Sequence, residues 1–132
     1  MRMTTTIGIV GSRHWSDYDA FCALLLTIPE ANACGAVVSG GARGVDAMAR
    51  MWAREMGRYY REYKPQIGLY RTFYEAAHAR NQEIVDDLVR CRAAGHEVAL
   101  IALPGPQSRG TYDTMRRAER ADVKVILREV RE

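Results

Sequence analysis

Residues 37–57, "VVSGGARGVDAMARMWAREMG", decide how the chain is read. A short β-branched run tightens into a loop with glycines at 40, 41 and 44, then continues with apolar residues at helical spacing. The run "GAVVSGG" (35–41) reads as a strand buried on both faces, since a half-solvated strand would alternate. Beyond the loop, in "GVDAMARMWAREMG" (44–57), Val45, Met48, Ala49, Trp52 and Met56 form one helical stripe, and Arg50, Arg54 and Glu55 face outward. A buried strand passing through a glycine loop into an amphipathic helix is half of a parallel βαβ unit. Three glycines in five positions suggest that something approaches the backbone, because glycine puts no Cβ in the way. The expected occupant is a phosphate or a ribose. Taken alone, a tight strand-to-helix turn explains the loop equally well.

The same alternation runs outward in both directions. "TTIGIVG" (5–11) is a buried strand, and "SDYDAFCALLLTIP" (16–29) is a helix with Ser16 and Asp17 as cap residues and Pro29 as its stop. "YYREYKP" (59–65) is a third, more polar strand, and 66–73 is looser chain. A helix runs from about Tyr74 to Ala94, with Ile84, Leu88 and Cys91 inward and Gly95 at its end. "EVALIALPG" (97–105) is the most apolar strand, "TYDTMRRAERA" (111–121) a helix and "VKVILREV" (123–130) a last strand. The order βαβαβαβαβ predicts an α/β, Rossmann-like doubly wound parallel sheet of about five strands, helices on both faces, strand order 3-2-1-4-5. One domain spanning 1–132 accommodates it.

Composition narrows the function classes. The net charge is only +3, and Lys64 and Lys124 are the only lysines. Arginine forks suit phosphate and carboxylate, although a GC-rich genome gives the same bias. Cys22, Cys34 and Cys91 are widely spaced with no C-x-x-C, which points to reduced thiols and a cytoplasmic protein. No apolar segment is long enough for a signal peptide or a membrane span, so no membrane partner is expected. His14, His78 and His96 are scattered without metal-ligand spacing, and no metal or required cofactor is expected.

In a parallel sheet the loops that follow strands open at one edge, and ligands bind where strand order reverses. With order 3-2-1-4-5 that point lies between the first and fourth strands. The loops concerned are "GSR" (Gly11, Ser12, Arg13), "SGGARG" (Ser39, Gly40, Gly41, Ala42, Arg43, Gly44) and "PGPQSRGT", with Pro104, Gly105, Arg109, Gly110 and Thr111. "SGGARG" is neither a P-loop nor G-x-G-x-x-G. Three such loops at strand ends, each feeding a helix N-terminus, form a phosphate-compatible crevice. Asp46 can accept from ribose hydroxyls or simply stabilise its helix N-terminus. Arg13 suits phosphate or sugar contact. Arg80 and Asn81 lie on a polar helix face whose default is solvent, and Asp113 is by default a dipole partner. Trp15 and Tyr112 can stack on a base or simply pack.

"GSRHWSDYDAF", "VSGGARGVDAMARMWAREMG", "ARNQEIVDD" and "LPGPQSRGTYDTMRRAERADVKVI" together resemble the SLOG superfamily, closest to its YspA-like branch. That superfamily also holds the LOG phosphoribohydrolases and the DNA-processing protein DprA. The resemblance implies a site for nucleotides or nucleotide-derived sugars. Gly40, Gly41 and Gly44 match the first LOG glycine loop, and Pro104, Gly105, Gly110 and Thr111 match the second. Arg80 matches the catalytic helix arginine. The second loop is longer here by Pro106 to Arg109, and the glutamate closing it is replaced by Thr114. The nearest carboxylate, Asp113, is displaced by one position, about 100° around a helix.

The resemblance implies a domain that binds or senses a nucleotide-derived ligand such as ADP-ribose, NAD, a nucleoside monophosphate or a cyclic derivative. The ligand-contacting set comprises the loop residues above with Asp46 and Asn81. One alternative is a LOG-like N-glycosidase using Arg80 and Asp113 as catalytic residues. Another is DprA-like nucleic-acid binding, against which stand the mild charge and the lack of a helix-turn-helix or OB module. A homodimer is expected from the LOG-like relatives.

Overall fold

The computed structural model describes residues 4–132, so the first three residues of the span read above lie outside it. Strands β1 (Thr5–Gly11), β2 (Cys34–Ser39), β3 (Tyr59–Glu62), β4 (Glu97–Leu103) and β5 (Lys124–Leu127) form one parallel sheet in the order β3-β2-β1-β4-β5. This is the Rossmann-like α/β architecture and strand order expected from the alternation of elements. Strand order reverses between β1 and β4, which run in register from Thr5 opposite Glu97 to Gly11 opposite Leu103. Their carboxyl ends therefore stop level, and a crevice opens beyond them.

Helices α1 (Tyr18–Leu26), α2 (Pro29–Ala33), α3 (Val45–Glu55), α4 (Phe73–Ala93) and α5 (Arg109–Arg120) cover the sheet. Strand side chains alternate between two cores. Ile7, Ile9, Val37 and Ile101 pack with Phe21 and Leu25 of α1 and Val45 and Trp52 of α3. Val10, Val38, Leu100 and Ala102 pack with Ile84 and Leu88 of α4 and Met115 of α5. Fully burying each such aliphatic side chain contributes about 1.5–3 kcal/mol, which makes the two sheet faces the main source of cohesion.

Several expected boundaries shift, each for a local reason. The span read as one helix over 16–29 is two helices. Asp17 caps α1 by accepting from the Ala20 N–H at 3.1 Å, and Thr27 closes it with its hydroxyl on the Leu24 carbonyl at 2.6 Å. Pro29 opens α2 rather than stopping α1, because a proline loses nothing at the first position of a helix. Met56 falls beyond the end of α3 and is exposed, so the stripe ends at Trp52. The third strand stops at Glu62, and a 3-10 turn at Ile67–Leu69 interrupts the chain before α4. The β5 ladder ends at Leu127, yet the chain continues beside β4, with Arg128 N–H on Ala102 O at 2.9 Å and Val130 N–H on Pro104 O at 3.0 Å.

A buried polar clip fixes α4 to the edge strand β3. Asp87 receives both Arg61 Nε (2.8 Å) and Nη2 (2.7 Å), and the Tyr63 hydroxyl at 2.8 Å. Burial opposes the charged form of Asp87, but these donors outweigh it and hold its carboxyl below the usual range.

Candidate ligand cleft at the carboxyl edge

A cleft of about 340 Å³ opens at the strand-order reversal. Gly11, Arg13 and His14 come from the loop after β1, and Ala42 and Asp46 from the loop after β2 and the first turn of α3. Arg80, Asn81 and Ile84 form a wall from α4, and Gln107 to Thr111 with Thr114 form the rim from the β4–α5 loop and α5. The three loops singled out by their position in the strand order thus meet at one cavity.

The glycines of the first loop open space for the chain itself. A Cβ on Gly40 would lie 2.6 Å from Arg80 Nη1 and 3.0 Å from Asp46 Oδ2. A Cβ on Gly41 would meet the Glu62 carboxyl carbon at 2.7 Å. Gly44 has φ +74°, and a Cβ there would overlap the Ser12 carbonyl and reach within 2.6 Å of the Arg13 carbonyl carbon. At these three positions a guanidinium, a carboxylate and the neighbouring loop stand where a Cβ would lie.

The two helix N-termini differ in the same way. At α3 the Val45 N–H is taken by Ser12 O at 2.9 Å, and Asp46 turns back to accept from Ala42 N–H at 3.1 Å. At α5 the first intrahelical bond is Tyr112 N–H to Ser108 O at 3.1 Å, and Ser108 gives no side-chain cap. Its hydroxyl accepts instead from Gly105 N–H at 2.9 Å. The first-turn residues Arg109, Gly110 and Thr111 line the cleft, so α5 presents uncapped amides and the positive end of its dipole there.

Arg80 and Asn81 are not on a solvated face: only 7% and 4% of their surfaces are exposed. Arg80 donates Nη1 to Gly40 O at 2.5 Å and Nε to Asn81 Oδ1 at 3.0 Å. Asn81 Nδ2 donates to Asp113 Oδ2 at 3.0 Å, and the same oxygen receives Arg117 Nε at 2.8 Å. Burial disfavours the Asp113 anion, but Arg117 and Asn81 outweigh that and keep its carboxyl below the usual range. Asp113 is not among the cleft-lining side chains, whereas Thr114, standing where the glutamate is expected, is. The Thr114 hydroxyl bonds Gly110 O at 3.0 Å.

Asp46 is the one carboxylate among the described residues lining the cleft. Burial pushes its pKa up to about 6, against the opposing pull of the Ala42 N–H and the Arg80 charge. The same burial lowers the pKa of Arg80.

The remaining candidates lie around rather than in the cleft. Ser12 is buried, accepting from His14 N–H at 3.0 Å and donating to Glu132. Ser39 is buried and donates to Ile9 O at 2.7 Å. Pro104 and Gly105 are buried behind the rim, and Arg43 is exposed. Trp15 packs against Phe21, and Tyr112 against the core under α5, and both are half-buried. His14, Ile84, Gln107, Ser108 and Thr114 line the cleft without having been marked as candidates. Helical spacing carried the signal for two of them, since Ile84 follows Arg80 by four positions and Thr114 follows Gly110 by four.

Fold and cleft define the class, a Rossmann-like α/β protein with its concavity at the strand-order switch. Residues 1–59 match the family described as DNA recombination-mediator protein A, which supports the SLOG superfamily. The chain is also 35% identical over 122 residues to the Gene 61 protein of Mycobacterium phage D29, covering 89% of this chain and 91% of that one. It therefore belongs to the family of that phage protein. No solved structure gives a significant match. No helix among the described residues is long and apolar enough to cross a membrane.

Proposed function

We propose that this chain binds a nucleotide-derived ligand in the cleft, with a phosphate at the N-terminus of α5 between Arg13, Arg80 and Arg109. The observation carrying this reading is the uncapped first turn of α5, which faces a cavity with three arginines and a single carboxylate. Backbone amides, a helix dipole and arginine forks are the groups that hold phosphate oxygens. Asp46, opposite them, takes ribose hydroxyls. A nucleoside monophosphate or ADP-ribose suits these groups, and the YspA-like branch is the part of the superfamily this reading favours.

Binding rather than N-glycoside hydrolysis is favoured because Thr114 supplies no carboxylate where the LOG enzymes place one. The test is a thermal-shift and calorimetric screen with AMP, ADP-ribose, NAD and cyclic nucleotides, alongside an assay for free base. A ligand at a hundred times its Kd adds about 2.7 kcal/mol of stability. Saturable binding lost on Arg109→Ala supports the proposal, and no shift with any nucleotide sinks it. Base release from AMP would instead restore the hydrolase, with Asp46 as its carboxylate.

A second reading has its own support in the family match over residues 1–59, whose description names DNA recombination. Single-stranded DNA whose affinity falls steeply with salt would favour it. The proposal also includes a reducing, cytoplasmic setting for the three free thiols, and a homodimer that covers the exposed Ile67, Leu69, Phe73 and Tyr74. A monomer mass in light scattering removes the dimer.

A further inference from the structure

Among the described residues Arg80 is the one cleft arginine that enters from the middle of a helix and is nearly buried. A buried guanidinium needs partners for each donor, and its own charge tends to draw it toward solvent. Two donors are satisfied inside the chain: Nη1 by Gly40 O and Nε by Asn81 Oδ1. Nη2 has no partner among the described residues. The arginine is thus held on one edge and free on the other.

What holds that edge is a line of groups with only one workable polarity. Arg80 can only donate, and an ionised Asp113 can only accept. A residue between them must accept on one side and donate on the other, and a side-chain amide does both. Asn81 does this over 3.0 Å on each side. Asp113 is in turn fixed by Arg117 Nε at 2.8 Å, and Arg117 Nη1 reaches Gln82 Oε1 at 3.0 Å. The line ties the α4 wall to α5, the helix whose first turn forms the rim.

We infer that Asn81 and Asp113 are positioning residues: through one amide bridge they hold Arg80 with its free edge toward the cleft, and neither touches the ligand. Asn81 lines the cleft, but its two amide N–H groups are both taken, by Asp113 Oδ2 at 3.0 Å and Gly110 O at 3.4 Å, so it has no donor left for a ligand. Asp113 lies outside the cleft lining, with its carboxylate used by Asn81 and Arg117. The consequence for ligand binding rests on the nucleotide reading above; the placement of Arg80 does not.

The test separates the two. In 15N-labelled protein the Arg80 Nε–H resonance, assigned by its loss in Arg80→Lys, reports the bond to Asn81 directly. Slow solvent exchange is expected in the wild type, with exchange faster by about tenfold or more in Asn81→Ala and Asn81→Asp, since a hydrogen bond to a charged group is worth that much. Asn81→Asp places a carboxylate against Asp113, whereas in the double variant N81D/D113N the carboxylate at 81 accepts from Arg80 Nε and from the amide at 113, restoring both bonds at the expense of the one from Arg117 Nε. Slow exchange regained in the double variant is the expected result, with ADP-ribose affinity falling and returning in step. A purely structural role would lower thermal stability in the single variants and leave Nε–H exchange unchanged. Unchanged exchange in both single variants, or no recovery in the double variant, overturns the inference. If the wild type binds no nucleotide but exchange follows this pattern, the positioning stands and only the ligand reading falls.

Discussion

Asp46→Asn isolates the cost of keeping a carboxylate in the cleft wall. Only 6% of Asp46 is exposed, and its pKa stands at about 6 against 3.8 for a free aspartate. At about 1.4 kcal/mol per pH unit, the charged form costs the folded state up to about 3 kcal/mol relative to the neutral one. The folded state holds this proton more tightly than the unfolded state does. The favourable contribution is therefore complete below about pH 4, declines between pH 4 and 6, and is absent above that. Asparagine keeps the size and can still accept from Ala42 N–H, but it carries no charge.

Urea unfolding of wild type and Asp46→Asn from pH 4 to 8 measures the difference directly. The variant should be more stable at pH 8 by between about 1 and 3 kcal/mol, the upper figure being the whole pKa shift, in which the opposing pull of Arg80 is already included, and the lower one allowing for an amide N–H left without a partner. The gap should close as pH falls to 4, because wild-type Asp46 is then neutral as well. The same variant should bind ADP-ribose more weakly, since an amide is a poorer acceptor for ribose hydroxyls than a carboxylate. A variant less stable than wild type at pH 8 would refute the reasoning, because it would mean that attraction to Arg80 exceeds the burial cost.

Three further outcomes follow from the geometry. Gly44→Ala should lose more than about 3 kcal/mol by urea unfolding, since its Cβ strikes the backbone of Ser12 and Arg13, while Gly57→Ala, with similar φ but open space around it, should lose only about 1–2 kcal/mol. Gly40→Ala should displace the Arg80 guanidinium 2.6 Å away and weaken ADP-ribose binding about tenfold in calorimetry, with a smaller effect on stability because a long side chain can yield. Asp87→Ala should cost about 1.5–3 kcal/mol, the worth of charge-assisted hydrogen bonds, since Arg61 is 41% exposed and stays hydrated when its partner is removed. Because the Asp87 pKa is lowered by folding, its contribution is present at neutral pH and fades as pH falls below about 4, which acid titration of the unfolding midpoint follows.

The sheet was legible because its signals are local and repeated. Apolar runs such as 97–103 can be buried only on both faces, and their alternation with amphipathic helices leaves a single class of topology. The meeting place of the three loops followed from strand order alone. Other features depended on contacts that no local pattern records. Pro29 is both a stop and a start for helices, and which role it takes depends on whether Ala31 has a core to enter. Arg80 and Asn81 look like a solvated pair until α5 closes over them. Polar residues carry no periodic signature of burial, because what permits it is a partner distant in the chain, here Asp113, 32 positions on from Asn81.

The glycine loop shows how one signature supports two physical roles. Close approach to the main chain is what Gly40, Gly41 and Gly44 provide, and a phosphate and an arginine's own guanidinium are both groups that can use it. Here the guanidinium of Arg80, the carboxylate of Glu62 and the loop of Ser12 and Arg13 arrive first. Occupation from within has a consequence for charge. With Ser12 O on the Val45 N–H and the Asp46 carboxylate in its first turn, the start of α3 already carries a negative charge, whereas the first turn of α5 has no acidic residue and faces the cavity uncapped. In the proposed reading Gly40 serves the ligand at one remove, by admitting Arg80. A phosphate in this cleft should accordingly depend on Arg109 and the α5 amides directly, on Arg80 through its free edge, and on the first-loop glycines only through Arg80. An anion located crystallographically over Gly40 and Gly41 instead of the first turn of α5 would reverse that order.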